Sequence, residues 1–485
     1  MSPFDAARYA RLLEGLEVTV LHLSKVGDVD NPTLRFDSSF FQKEFLRLER
    51  YPNEIGALSM VRSGTTPADR DDNLTNGVVL LKTVDIQNRP LSSVDADQCY
   101  KISHDIAKRM AKTRLLPGDV LINIVGATNE VVGRVALVPQ NFPEANITQA
   151  MALIRSTDSR LQPELVFCFL ASRFGQAQIR RLARPTGQFN MNLPEVESIR
   201  VPNFHQDFCN RIKQIIEASH NQRDGSRSQL VGAELRLSQA LGITGWKAPE
   251  PLSYIRQSSD AFASGRLDAQ HFQPRFRALT NFITATGQGA LLADWLNENK
   301  RGKQPDYVED GLPVVNSKHV LRGEVRLDGG NRNASFANND LLIRHGDVLI
   351  NGTGVGTIGR AAPYLRVDPA IPDNHVTILR PKQGLDAVYL SVFLNSMAGQ
   401  WQVEERLRGS SGQIELYPAD IAQFTVWIAP PSVQIEIRRL VEKGHEQKQR
   451  ANQLLDAAKR AVEIAIEDGE ADALAYLDQT ALPEH

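Results

Sequence analysis

The stretch Leu116-Pro117-Gly118-Asp119-Val120-Leu121-Ile122-Asn123 returns as Arg344-His345-Gly346-Asp347-Val348-Leu349-Ile350-Asn351, and the two Gly-Asp pairs stand 228 residues apart. Val, Leu and Ile crowd together after a Gly-Asp turn, which reads as a buried β-strand bounded by turn residues. A strand of this kind needs a sheet around it. Its recurrence therefore predicts two similar halves, each with its own core.

The flanking sequence repeats in the same order. Each half opens with one phrase, Arg35-Phe36-Asp37-Ser38-Ser39-Phe40-Phe41-Gln42 and Arg266-Leu267-Asp268-Ala269-Gln270-His271-Phe272-Gln273. A Gly/Pro turn follows (64–67; 302–305), then an apolar strand with a polar end, Val78-Val79-Leu80-Leu81-Lys82-Thr83 and Leu312-Pro313-Val314-Val315-Asn316-Ser317. Beyond the Gly-Asp strands come Gly133-Arg134 and Gly359-Arg360, a further strand (150–155; 375–380) and a helical stretch (163–182; 385–407). Each half then carries a Gly-Gln loop, Thr186-Gly187-Gln188 and Ser411-Gly412-Gln413, and ends in an apolar strand reaching Pro202 or Pro430.

A long helix closes each half. Seam positions Ile437, Val441, Gly444, Lys448, Ala451, Leu455, Ala458, Val462 and Ala465 match Ile212, Ile216, Ser219, Arg223, Ser226, Leu230, Ala233, Leu237 and Ala240. Steps of four and three kept through two diverged copies predict a helix pair packed by a narrow seam. About thirty residues at roughly 1.5 Å each make a rod on the order of 45 Å. Asp224-Gly225 is a candidate kink, because glycine costs helix stability. Arg223 and Lys448 sit mid-seam, either setting the register or snorkelling past it.

Composition is that of a water-soluble protein: 485 residues, 42% hydrophobic, 23% charged, net charge −2. The pI near 6.6 argues mildly against a free-standing nucleic-acid binder, though local cationic patches remain compatible with one. Cys99, Cys168 and Cys209 share no metal-ligand spacing, so reduced thiols in a cytoplasm are expected. The N-terminus lacks a signal-peptide apolar stretch, and no apolar run approaches membrane-spanning length, so no membrane partner is expected.

The ordered set of phrases resembles the specificity (S) subunits of Type I restriction–modification enzymes. The Arg-x-Asp opening, the Gly-Asp-Val-Leu-Ile strand with its Gly-Arg, the Gly-x-Gln loop and the closing helix carry the resemblance, from Leu34 to Ile466. It implies an α+β fold: two pseudo-symmetric mixed α/β target recognition domains separated by two long helices in an antiparallel coiled coil. The expected bounds are 1–204 for the first domain, 205–245 for the central helix, 246–431 for the second domain, and 432–485 for the closing helix and acidic tail. It further implies a non-catalytic DNA-binding protein of phage defence that reads a bipartite double-stranded target. Two methyltransferase (M) subunits and motor–nuclease (R) subunits would be its partners. S-adenosylmethionine, ATP and Mg2+ are expected on those partners and no cofactor in this chain. Two features have no counterpart across the halves: the acidic tail (Glu467, Asp468, Glu470, Asp472) and the basic run Lys108, Arg109, Lys112, Arg114.

Half-sites read from one side of a duplex lie about 34 Å apart, a distance such a rod can set. Reading bases calls for Arg and Lys on guanine, and Gln and Asn on adenine. The loop carrying Arg180, Arg181, Arg184, Thr186, Gln188 and Asn190 has those groups and no acid. Its counterpart carries Arg406, Arg408, Ser410, Ser411 and Gln413. Strand-end residues Lys82 and Thr83, then Asn316, Ser317 and Lys318, and finally Asn351 and Thr353, complete the DNA-binding candidates.

Several decoys fall away. Gly354-Val355-Gly356-Thr357-Ile358-Gly359 has dinucleotide-motif spacing, but Arg360-Ala361-Ala362-Pro363 after it reads as a strand, not the helix that motif requires. Asn31-Pro32-Thr33-Leu34 lacks the aromatic that a methyltransferase motif stacks on a flipped base. His271, His345 and His375 have no triad or ligand spacing and are not histidine in the other copy. The competing reading is a non-catalytic two-domain scaffold that binds protein partners through its helices.

Overall fold

The computed structural model describes residues 8, 11–12, 14, 35–36, 38–46, 50–69, 71, 74–128, 130–186, 188–327, 330–336, 341–409 and 414–480. Asn31 to Leu34, Asp37, Gly187 and 410–413 lie outside them. The chain divides into two compact units, 1–227 with 446–485, and 228–445. Each unit mixes sheets and helices, and the two repeat one plan.

Unit 1 contains β1 (Ser59–Ser63), β2 (Val78–Leu81), β3 (Val120–Asn123), β4 (Val125–Gly126), β5 (Val135–Leu137), β6 (Ala145–Ile147) and β7 (Met151–Ser156). Helices α1 (Pro163–Ala171) and α2 (Arg173–Leu182) follow, then the hairpin β8 (Arg184–Thr186) and β9 (Gln188–Asn190). A short α3 (Leu193–Glu197) and β10 (Arg200–Val201) lead into the long α4 (Gln206–Leu241). The main sheet is antiparallel in the order β1-β7-β3-β5, β2 pairs with β6 in parallel, and β9 joins β8 to β4.

Unit 2 repeats this with β11 (Leu296–Arg301), β12 (Leu312–Val315), β13 (Val348–Asn351), β14 (Ala361–Pro363), β15 (Ile371–Pro372) and β16 (Val376–Pro381). Then come α5 (Ala387–Asn395), α6 (Met397–Arg406), α7 (Pro418–Ala422), β17 (Thr425–Trp427) and α8 (Pro431–Glu467), whose second half returns to unit 1 together with α9 (Glu470–Thr480). Its main sheet runs β11-β16-β13-β14, and β12 pairs with β15 in parallel.

Each residue of the repeated Gly-Asp phrase has a physical task. Gly118 and Gly346 adopt φ of 86° and 87°, a left-handed turn that a side chain would strain. Val348, Leu349 and Ile350 are fully buried, as are their unit 1 matches. Each such burial contributes about 1.5–3 kcal/mol. Asp119 accepts a bond from Leu116 N at 2.8 Å and a two-point ion pair from Arg155, both arms at 2.7 Å. Asp347 repeats this with Arg344 N at 2.7 Å and Arg380 at 2.7 and 2.9 Å. Each paired carboxylate also raises its arginine above the ordinary guanidinium value.

The expected single helical stretch is two helices in each unit. Ser172 and Ser396 turn out of helical geometry between α1 and α2 and between α5 and α6. The fold-back is so tight that a Cβ on Gly175 or Gly399 would lie 2.2 or 2.3 Å from a carbonyl of the preceding helix. Buried glutamines then tie the second helix down. Gln178 exchanges bonds with the backbone of Arg200, and Gln402 does so with that of Thr425.

The long helices pair antiparallel within each unit. In unit 1, Ile212, Ile216, Leu455, Ala458 and Val462 share one core, and Ser219 Oγ donates to Ala451 O at 2.7 Å. In unit 2, Ala233 and Leu237 share a core with Ile437 and Val441, and Arg236 pairs with Glu436 at 2.7 Å. At 36 and 37 residues, α4 and α8 exceed the expected thirty. α4 continues as helix through Asp224-Gly225. Glycine there serves close approach, because a Cβ would sit 2.7 Å from the Gln447 side chain. Asp224 anchors the helix to Ser92, Ser93 and Asn141. The acidic tail forms α9, which buries Ala473 and Leu477 in the unit 1 core and accepts His205 N on Glu470.

Candidate nucleic-acid interface

In each unit the polar ends of several strands form one row, built by backbone bonds. Asn123 Nδ2 reaches Thr83 O at 3.0 Å, joining the ends of β3 and β2. Ile124 N and Val125 N both donate to Ala150 O, and Met191 N donates to Ile124 O at 2.9 Å, which sets the β8–β9 hairpin beside them. Unit 2 makes the same row. Asn351 Nδ2 reaches Ser317 O at 3.0 Å, Gly352 N donates to His375 O at 2.8 Å, and Leu416 N donates to Gly352 O at 2.9 Å. Bridges join Thr353 and Arg408 to Glu415.

This row gathers the candidates that sequence spacing scatters along each half. Lys82 and Thr83 line a groove of about 220 Å3 with Thr66, Thr148 and Gln149. The Lys82 ammonium lies 3.8 Å from the Tyr100 ring centroid, which fixes its position. Gln188 and Asn190 are exposed on the hairpin. In unit 2, Asn316 and Ser317 are half-buried and Lys318 is exposed at the β12 end. Thr353 and Arg408 line a groove of about 610 Å3 with His375, Glu415 and Tyr417.

Several candidates brace the scaffold, Arg408 while still lining its groove. Arg181 is 8% exposed, donates to Phe40 O at 2.9 Å and lies over the Phe40 ring, so it is withdrawn from the surface. Asn351 is fully buried, with Nδ2 shared among Ser317, Val320 and Thr357 carbonyls, and is withdrawn likewise. Arg406 is half-buried against Glu405 and the Gln402 and Gln423 carbonyls. Arg184 holds Glu195 at 3.2 and 3.3 Å, and Arg408 holds Asp420 at 3.2 and 2.7 Å. These matched pairs clamp the base of each hairpin to the short helix after it. Arg180 is exposed in the last turn of α2. The Thr186 backbone belongs to β8, while Ser410, Ser411 and Gln413 lie outside the described residues. The basic run is largely ion-paired: Lys108 with Asp105, Arg109 with Asp69, Arg114 with Glu144.

Tyr417 and Arg301 on the unit 2 row escaped the sequence reading, and His375, set aside there as a decoy, joins them. Arg301 Nη2 donates to Gly352 O at 2.9 Å and Leu416 O at 2.8 Å, and its guanidinium lies over the Tyr417 ring. A Cβ at Gly352 would stand 2.2 Å from that nitrogen. Unit 1 has Ser63 and buried Ile124 at the matched positions, so one unit fills the space with an aliphatic chain and the other with a cation. The signal was available as a paired change, Ser/Ile to Arg/Gly, but the partners are distant in sequence. His375 Nδ1 lies 2.7 Å from Thr353 Oγ1. Tyr417 donates to Glu415, which raises its phenol above the ordinary value.

Among the described residues no group of three or more His, Cys, Asp or Glu converges to hold a metal. All three cysteines are free; burial pushes the Cys209 thiol up to about 11 and Cys99 to about 12. No helix among the described residues is long and apolar enough to cross a membrane.

No family model matches the chain. A stretch of 131 residues, 27% of the chain, is 25% identical to the specificity subunit of the Type I restriction enzyme EcoBI from Escherichia coli. The match spans about a quarter of that relative, 26% of its length. Among solved structures, the chain is similar to the S subunit of a Type I restriction–modification system from M. genitalium, at 14% identity and a TM-score of 0.38, covering 90% of this chain and 97% of that one. It is also similar to the HsdS subunit from Thermoanaerobacter tengcongensis, at 16% identity and a TM-score of 0.26, covering 88% and 95%.

Proposed function

We propose that this chain is the DNA sequence-specificity subunit of a Type I restriction–modification complex. It is non-catalytic and binds an asymmetric bipartite duplex target, each unit reading one half. Two methyltransferase subunits dock on it, bringing S-adenosylmethionine, and through them motor–nuclease subunits bring ATP and Mg2+. The complex works in the cytoplasm.

One observation carries this reading: the same backbone row recurs in both units with different side chains on it. A common frame with divergent polar groups is what reading two different half-sites requires, because backbone contacts position and side chains at base edges specify. The recurrence of an antiparallel helix pair in each unit supports two equivalent partner subunits.

The test is selection from a random duplex library by the full chain, alone and co-expressed with its methyltransferase subunits. Enrichment of two unlike short motifs at a fixed gap is the expected result. Enrichment of no sequence would contradict the reading, and stable protein partners without enrichment would favour the scaffold instead.

A further inference from the structure

The unit 2 groove carries a donor pair that unit 1 lacks, and we propose that it reads a guanine through His375 and Arg408. This rests on the DNA-reading function above and assigns that function a base and two residues.

His375 and Thr353 face each other across the groove at 2.7 Å, so Nδ1 is engaged. In the neutral tautomer that accepts this bond at Nδ1, the proton sits on Nε2, which presents an N–H. Arg408 is clamped by Asp420 through Nε and Nη2, at 3.2 and 2.7 Å. The clamp fixes the guanidinium plane and leaves Nη1 as a second donor on an exposed side chain. Among the described lining residues the one carboxylate, Glu415, accepts from the Tyr417 hydroxyl and stands 3.8 Å from Arg301. Beside these groups, His375 Nε2 and Arg408 Nη1 form a pair of donors on the groove.

That pattern selects among bases. Guanine offers O6 and N7 in the major groove, both acceptors. Adenine offers one acceptor beside an amino donor, thymine an acceptor beside a methyl group, and cytosine an amino donor. Two neighbouring donors match guanine best, because it alone offers two acceptors there. Unit 1 has Ala150 and Val125 where unit 2 has His375 and Thr353, so the preference belongs to one half-site only.

The experiment compares the wild-type full chain with His375→Ala, which installs the residue unit 1 already carries at that place. Exchange of residues 35–202 first shows which half-site unit 2 reads. The wild type is expected to enrich a guanine there. The variant should relax that position on the order of tenfold, leaving the other half-site and the melting temperature unchanged. Placing 7-deazaguanine at the position removes N7; it should weaken the wild type by a similar factor and the variant little further. Equal enrichment by both proteins, an undiminished 7-deaza effect in the variant, or a unit 2 half-site without guanine would overturn the inference while the specificity reading stood. A wild type that enriched no sequence would overturn both.

Discussion

Exchanging Arg380 for methionine is expected to lower the unfolding free energy of unit 2 by about 3–5 kcal/mol. Asp347, its partner, is 1% exposed, and the loss of both guanidinium bonds would leave a sealed carboxylate with a backbone N–H at 2.7 Å for compensation. Arg380 also donates to Leu342 O at 3.0 Å, so that carbonyl is stranded too. The methylene stem keeps most of its packing in methionine, which confines the effect to the charge. Adding Asp347→Asn removes the stranded charge and should restore most of the loss. Urea unfolding of the full chain is the measurement, with unit 1 as internal control because its Asp119–Arg155 pair is untouched. A shift under about 1 kcal/mol, the size expected of an exposed pair such as Lys108–Asp105, would contradict the assignment.

The second large effect concerns the Gly-Arg step. Gly359→Val is expected to cost about 2–5 kcal/mol, combining left-handed strain with overpacking. Gly359 has φ of 77°, and a Cβ there would lie 2.7 and 3.1 Å from the two methyls of Val403 on α6. Gly133 repeats the situation against Ile179 on α2, at 2.4 Å. The control is Gly356→Ala. Its φ of 78° is almost the same, but nothing lies within 4 Å of the added carbon, so strain alone should cost about 1–2 kcal/mol. Similar melting temperatures for the two variants would show that packing against α6 is not what demands glycine at 359.

Much of this frame was legible in the sequence because it is written twice. The strands around Gly118 and Gly346 and the seam residues on α4 and α8 stand where their matched wording places them, while Gly187, Gly412 and Gln413 of the Gly-Gln loops lie outside the described residues. The dinucleotide spacing at Gly354–Gly359 resolves into a turn before β14, as the following Pro363 indicates. The missed features share one physical cause: each depends on partners far apart in sequence. Asp119 was visible as a word in a phrase, but its partner Arg155 lies one strand away. Arg181 reads as one of three arginines in a loop, and only the approach of Phe40 shows it to be a brace. The break between α1 and α2 turns on Gly175, whose close approach to the Phe169 carbonyl only the folded chain shows. Arg301 at the end of β11 and Gly352 just past β13 change together, and only their contact links two positions so far apart in sequence.

The division of labour between units is tested most directly by replacing residues 35–202 with the equivalent stretch of a related chain and determining the enriched or methylated sequence of the assembled complex. The account predicts that one half-site changes to that of the donor, while the other half-site and the gap between them persist. A change in both half-sites, or in neither, would contradict it.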